Sequence, residues 1–411
     1  MNTTIITRRA GTPALVGILA LGAILSGCAA ADPAGQAPSA IETAGDGQCG
    51  SIPTTPLNDP EGLISKMDAA AKAAYTGFSG ALKPSFWSNW KPATPPPYDV
   101  AIVYSTEAVP YQATLLKTVK EALEKDPLIG KVTVSFAENN LPTQLQQFQA
   151  AIQAAPDLIL YQPLAPDPFV PLSEQAAAAG IPSLTMQSVV PSDKVINISP
   201  NSFLLGARPA AEVAKLMGGK GTMLGVRGVK GVSIETETFE GIKQVIGLCP
   251  EITLDDSVVG AYNPTTAKTE VLKWLSTHQT DVGGVVHAAI MGNGVISAFE
   301  QAGRPMPPMA DAAASEGSLA YWQKNAPEGY RGAATGQGPQ AMGGVIADVA
   351  LRVLNGDGVK VNTVLLEPAL VTDKNLDDWA VSGAEVSSGK SAEPPAGTFP
   401  PAGYIDQFFA K

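Results

Sequence analysis

The chain has 411 residues with 27 basic and 38 acidic side chains, a formal charge of -11. That balance, with no basic run to offset it, repels phosphate backbones and anionic head groups, so nucleic acid is not an expected partner. The length, and a composition of 45% hydrophobic and 16% charged residues, suffice to fill two cores of ordinary size.

At the N-terminus Arg8 and Arg9 precede an apolar or small-residue run from Pro13 to Leu25. This is the pattern of a secretory signal peptide over residues 1–27 rather than of a spanning helix. Leu25-Ser26-Gly27-Cys28 resembles the bacterial lipobox, in which a peptidase cuts before the cysteine and the thiol takes a diacylglyceryl group. Lipidation at Cys28 predicts a protein anchored on the extracytoplasmic face of the cell membrane, touching the bilayer through its lipid alone, since two acyl chains anchor stably. Loss of Arg8 and Arg9 with residues 1–27 moves the formal charge from -11 to -13. No later window is apolar enough for a span.

From Ala29 to about Cys49 the chain is Ala, Gly, Pro, Ser, Gln and acid, which cannot bury enough apolar surface to fold and reads as a tether. Cys49 and Cys249 remain after Cys28. In an oxidising compartment they either pair, tying the N-terminal extension to the body, or stay as two free thiols. A helix is predicted from about Pro60 to Tyr75, with Gly77 just beyond it. The aromatic stretch Phe86 to Trp90 and the stiff spacer Pro95-Pro96-Pro97 follow.

From Tyr98 a single unit repeats, a short apolar run, a turn and an amphipathic helix. Strands are predicted at Asp99 to Tyr104, Lys131 to Phe136, Asp157 to Tyr161 and Ile181 to Met186. A second series begins after Asn197 to Pro200, with a helix from Ser202 and strands near 221–225, 252–259, 283–287, 306–310 and 330–335. Strands apolar throughout and separated by helices indicate a parallel sheet covered on both faces, here two doubly wound α/β units. The ligand crevice of such sheets lies beyond the carboxyl ends of the strands.

Catalysis finds no support in the residues. His278 and His287 have no metal-ligand neighbours at suitable spacing, and His287, though it ends a strand, reads better as a core or surface side chain. Gly218 to Thr222 precedes a strand and fails the Walker spacing. Gly292-Asn293-Gly294 reads as a strand-to-helix turn whose amides could reach a ligand. Glu235 and Glu237 near a helix start suit the helix dipole. With no Gly-x-Ser-x-Gly elbow, neither an enzyme nor a cofactor or metal is expected.

The order of motifs is more specific. Ser105-Thr106 leading to Pro110-Tyr111, Ala178-Ala179-Gly180-Ile181-Pro182, Phe239-Glu240-Gly241-Ile242, Ala302-Gly303, Met309-Ala310-Asp311, and Gly336-Gln337 through Pro339 to Gly343 fall in sequence between residue 98 and about 372. In that order they resemble the type I periplasmic binding proteins, the ribose-binding-like sugar receptors that feed ABC importers. The resemblance implies two doubly wound parallel-sheet lobes joined by a three-crossing hinge that close over a ligand. Residues 28–97 would be the lipidated tether and N-terminal extension. Lobe 1 would be residues 98–200 with 338–365, lobe 2 residues 201–337 with 366–380, and residues 381–411 a C-terminal extension.

It also implies site residues. Tyr111 falls where the family places a ring that stacks on a sugar face. Asp311 falls where a carboxylate accepts from hydroxyls, and Gln337 at a hinge-side glutamine. Other positions depart from the pattern: Gln187-Ser188 stands for an Asp-Arg pair, Thr238 for an arginine and Ala288 for an asparagine. Closure would bring Tyr111 and Gln187 toward Thr238 and Asp311. Glu107, Gln112, Gln162 and Asn293 are further candidates for hydrogen bonds to a ligand, and Met186, Met291 and Trp90 for an apolar contact.

Each buried unsatisfied hydroxyl costs about 1–3 kcal/mol, so fewer charged grips favour a small neutral solute, a sugar, a polyol or a partly apolar relative. The expected partners are that solute and an ABC permease, with the receptor a monomer. A ligand-sensing lipoprotein signalling to a membrane receptor or kinase is the alternative, and an α/β hydrolase or transferase a more distant one.

Overall fold

Runs of β-branched and large apolar residues bounded by turn residues become strands, and the amphipathic segments between them become helices. A computed structural model describes residues 48–410. The signal segment 1–27, the lipobox cysteine Cys28 and the tether up to residue 47 lie outside them.

The first helix, α1 (Ala69–Ala73), is far shorter than the 60–75 expected from sequence. Asp59 explains the difference, because its carboxylate accepts the amides of Leu63 at 2.8 Å and Ile64 at 2.9 Å, four and five residues on, and holds this segment in a turn in place of a helix. Helix begins only after Asp68, whose carboxylate caps the Ala71 amide at 2.8 Å.

Lobe 1 is built from β1 (Tyr98–Tyr104), α2 (Pro110–Lys125), β2 (Ile129–Phe136), α3 (Leu141–Ala154), β3 (Leu158–Tyr161), α4 (Val170–Ala178), β4 (Ser183–Thr185) and β5 (Val195–Pro200). Lobe 2 follows as α5 (Ser202–Leu216), β6 (Lys220–Arg227), α6 (Ser233–Gly247), β7 (Glu251–Val259), α7 (Pro264–Thr277), β8 (Gly284–His287), α8 (Gly292–Gln301), β9 (Met309–Ala312), α9 (Glu316–Asn325) and β10 (Ala333–Gly336). The chain then returns through α10 (Pro339–Leu354) and β11 (Thr363–Leu366), and leaves again into β12 (Ala369–Val371) and α11 (Leu376–Trp379). β9 starts at Met309 rather than Met306 because Pro307 and Pro308 have no amide to give a ladder.

The first sheet has the order β11-β5-β4-β3-β1-β2 and is parallel throughout. The second, β12-β10-β9-β8-β6-β7, is antiparallel only where β12 meets β10. The chain passes between the sheets after β5, after β10 and after β11, the three crossings of a hinge. Both sheets thus turn their carboxyl strand ends toward the crossings, where loops rather than packed side chains decide the surface.

The extensions are part of both cores. Ile64, Tyr75, Leu82 and Trp87 are buried in the lobe 1 cluster, with Tyr75 donating to the Thr363 carbonyl at 2.6 Å and the Trp87 indole to Lys194 O at 2.8 Å. Asn201 at the first crossing donates to the carbonyls of Ala74 and Thr76, both at 2.8 Å. Cys49 and Cys249 are bonded as a disulfide, so the same extension also grips lobe 2, where Ile52 packs against the core. The bond closes a loop of 200 residues.

Replacing both cysteines by serine is expected to lower stability by about 2–4 kcal/mol, by release of loop entropy in the unfolded chain. Calorimetry with and without reductant checks this, and an unchanged melting temperature on reduction contradicts it.

Candidate functional site

Tyr111 is the second residue of α2, directly after Pro110, whose fixed φ and missing amide suit a helix start. Its hydroxyl therefore sits at the carboxyl edge of the first sheet. Gln187 follows β4 in a left-handed conformation (φ 62), held there by its amide on Ile198 O at 2.8 Å. From this position its Nε2 donates to the Tyr111 hydroxyl at 2.6 Å. Gln337, in the crossing between β10 and α10, lies close enough to that hydroxyl to lower the Tyr111 pKa. Burial raises the Tyr111 phenol well above its ordinary range, and the two glutamines offset part of that rise, so the ring is a neutral hydrogen-bonding hub. Gln337 is only 4% exposed, and its Oε1 takes no donor from the protein. A buried acceptor in that condition costs about 1–3 kcal/mol unless another donor meets it.

The rest of the lobe 1 edge is polar and tightly paired. Ser105 donates to the Gln112 Oε1 at 3.2 Å and also to the Gln162 Oε1, while Gln144 Nε2 fixes the Gln162 carbonyl at 2.7 Å. Glu107 is exposed on the loop after β1, close enough to Tyr104 for its charge to act on that phenol.

In lobe 2, Asp311 at the end of β9 accepts from the Ser318 hydroxyl at 2.6 Å, and its Oδ1 lies 3.3 Å from His287 Nε2. The hydroxyl that this carboxylate takes here belongs to the protein itself. Burial pushes Asp311 up and His287 down, each partly restored by the other, so desolvation favours the uncharged forms of both. His287 is a core histidine at 0% exposure.

The structure brings Tyr111, Gln187 and Gln337 together. It joins none of Thr238, Asp311, Glu107 or Asn293 to them by a direct hydrogen bond. Thr238 is buried in α6 where Gly206 of α5 lets the helices approach, and its hydroxyl finds no protein partner. Asn293 begins α8 and donates to Ser387 O at 3.4 Å.

Three residues that suit either an apolar ligand contact or packing turn out to pack. Met186 and Met291 are core residues at 0% exposure, and Trp90 donates to Gly180 O at 3.0 Å at the amino end of β4, away from the carboxyl edge. They supply no apolar wall to the site. Glu235 lies in the first turn of α6, as the helix-dipole reading has it, and also forms a two-point ion pair with Arg227 at 2.5 and 3.0 Å, while Arg227 is bound by Asp256 at 2.8 Å. Burial raises the Glu237 carboxyl, and the nearby Ser202 partly lowers it again. Among the described residues, no group of three or more His, Cys, Asp or Glu is placed to hold a metal ion.

A family model described as periplasmic binding protein domain matches residues 100–358. The chain belongs to the periplasmic binding protein family. Within it the architecture is that of type I members, as the xylitol-binding protein of Mycolicibacterium smegmatis and solved relatives also indicate. That protein is 28% identical over 243 residues, covering 59% of this chain and 68% of its own length. A solute-binding protein of an ABC transporter from Thermobispora bispora superposes with a TM-score of 0.61 at 27% identity, over 71% of this chain and 90% of its own. A solute-binding protein from Bacillus halodurans with bound myo-inositol gives a TM-score of 0.61 at 19% identity, covering 69% and 98%. This periplasmic binding protein extends beyond the family match at both ends, and the residue that sequence reasoning missed lies in one of those extensions. Glu393 approaches the Tyr111 phenol closely enough for its charge to act on it.

Proposed function

We propose that this periplasmic binding protein is the lipid-anchored receptor of an ABC importer, capturing a small neutral polyhydroxylated solute by hinge closure and presenting it to the permease. One observation carries the reading: at the crossings Gln187 bonds to Tyr111 and Gln337 lies beside them with a buried Oε1 that takes no donor from the protein, a neutral polar cluster with an acceptor to spare. A ring flanked by amides suits a sugar or polyol, which needs stacking area and paired hydroxyls. Relatives that bind xylitol, or hold myo-inositol, D-allose or glycerol, support that solute class. Such a protein binds and releases its solute unchanged and is not an enzyme. Lipidation of Cys28 would keep it beside its transporter and raise its local concentration there.

The test is a thermal-shift titration of the full-length protein against sugars and polyols, since a ligand of the folded state raises apparent stability by mass action. The expected result is a rise in melting temperature with xylitol or myo-inositol. A panel in which only acidic or wholly apolar compounds stabilise the protein overturns the reading. In the same preparation, Cys28→Ala should move the protein out of the membrane fraction.

A further inference from the structure

The C-terminal extension crosses the cleft-facing edge of lobe 2 before entering lobe 1. Ser388 O accepts the Gly317 amide at 3.2 Å, Lys390 O accepts the Glu316 amide at 2.8 Å, and the Ala392 amide reaches Ala314 O at 2.9 Å. These contacts lie just after β9, which ends in the Asp311 segment. Farther on, Tyr404 and Phe408 are buried in the lobe 1 core and the Ala410 amide donates to Gly358 O at 2.8 Å. The span between is thereby held from both lobes, and Glu393 is its first residue.

The Glu393 carboxylate accepts the Gln340 amide at 2.8 Å and the Ala341 amide at 3.2 Å, at the start of α10. Gly338, at φ 58, makes the approach possible, because a Cβ there would run into that carboxylate. Burial raises the Glu393 carboxyl and the two amides lower it. Each oxygen that takes one amide keeps a second lone pair. Next to it stand Gln337, whose buried Oε1 has no protein donor, and Tyr111, which feels its charge.

We propose that Glu393 is a specificity-determining residue of the solute site, a carboxylate delivered by the C-terminal extension to accept a solute hydroxyl beside Tyr111 and Gln337, and to repel solutes that carry a carboxylate or phosphate. This deepens the polyol reading above and rests on it. The extension supplies a charged acceptor where Gln187-Ser188 departs from the family's Asp-Arg pair. Neutral polyols are selected over their acid derivatives by the same group that binds them.

Titration calorimetry of the full-length protein with xylitol, myo-inositol and xylonate tests the assignment. Wild type should bind a polyol at least about tenfold more tightly than xylonate. Glu393→Gln keeps an acceptor for the α10 amides but loses the charge, so polyol affinity should fall about tenfold and the gap to xylonate should narrow. If wild type binds neither polyol, the polyol reading itself fails. If wild type binds a polyol and E393Q binds it equally well with the same discrimination, Glu393 is a helix cap only and the proposal is overturned. Should E393Q not fold, wild type decides: xylonate binding as tight as polyol binding overturns it.

Discussion

Replacing Tyr111 by alanine is expected to weaken solute binding by about 30- to 100-fold, the equivalent of about 2–3 kcal/mol. Two terms add to that figure. A lost ring–sugar contact costs about 0.5–1.5 kcal/mol beyond burial, and a lost hydrogen-bond hub about 0.5–1.5 kcal/mol more. The second term should exceed that of an isolated phenol, because the Gln187 Nε2 that donates to the hydroxyl at 2.6 Å would lose its partner as well. Tyr111→Phe separates the terms by keeping the ring and removing the hub, and should fall between wild type and Y111A. Calorimetric affinities for xylitol or myo-inositol measure all three proteins, and their ligand-free melting temperatures report any change in the fold. Equal affinities across the series would remove Tyr111 from the site.

That Tyr111 and Gln337 lie beyond the carboxyl ends of strands was legible in the sequence, because each follows a strand of the α/β repeat. Gln187 was legible for the same reason, though not its left-handed backbone, which depends on an amide contact with Ile198 across the sheet. The α/β repeat was legible because strands such as Leu158 to Tyr161 are buried on both faces and so apolar throughout. Local pattern obscures β5, whose six residues alternate with the polar Asn197 and Ser199 and lie between nearby β4 and β11, more than a hundred residues away in the chain. The fate of Asp311 also depended on tertiary context, since nothing in its neighbourhood along the chain shows that His287 will lie against it. Glu393 was hidden for a different reason. It sits between Pro and Gly residues without periodicity, and its meaning comes from Gly338, Gln340 and Ala341 on a helix it meets only in the fold.

The anchor of that extension makes a second strong prediction. Phe408→Ala is expected to destabilise the protein by about 3–5 kcal/mol, the usual cost of truncating a fully buried phenylalanine. Phe408 has 0% exposure and packs its ring 5.3 Å from that of Tyr404, while its carbonyl accepts the Lys360 amide at 2.8 Å. Truncation leaves a cavity in the lobe 1 core where the extension is fastened, so the loss should be larger than for a side chain at the surface. Val381→Ala, at a position 46% exposed near the start of the same extension, supplies the contrast and should change stability by less than about 0.5 kcal/mol. Denaturant melts of both variants make the measurement, and an F408A curve that overlays V381A would show the extension to be peripheral. Because the Glu393 carboxylate is held in place between this anchor and the strap on lobe 2, F408A should also reduce polyol affinity under conditions where the protein is still folded. Stability and recognition would then be coupled through a segment that lies beyond the family match at residue 358 and is buried in the lobe 1 core.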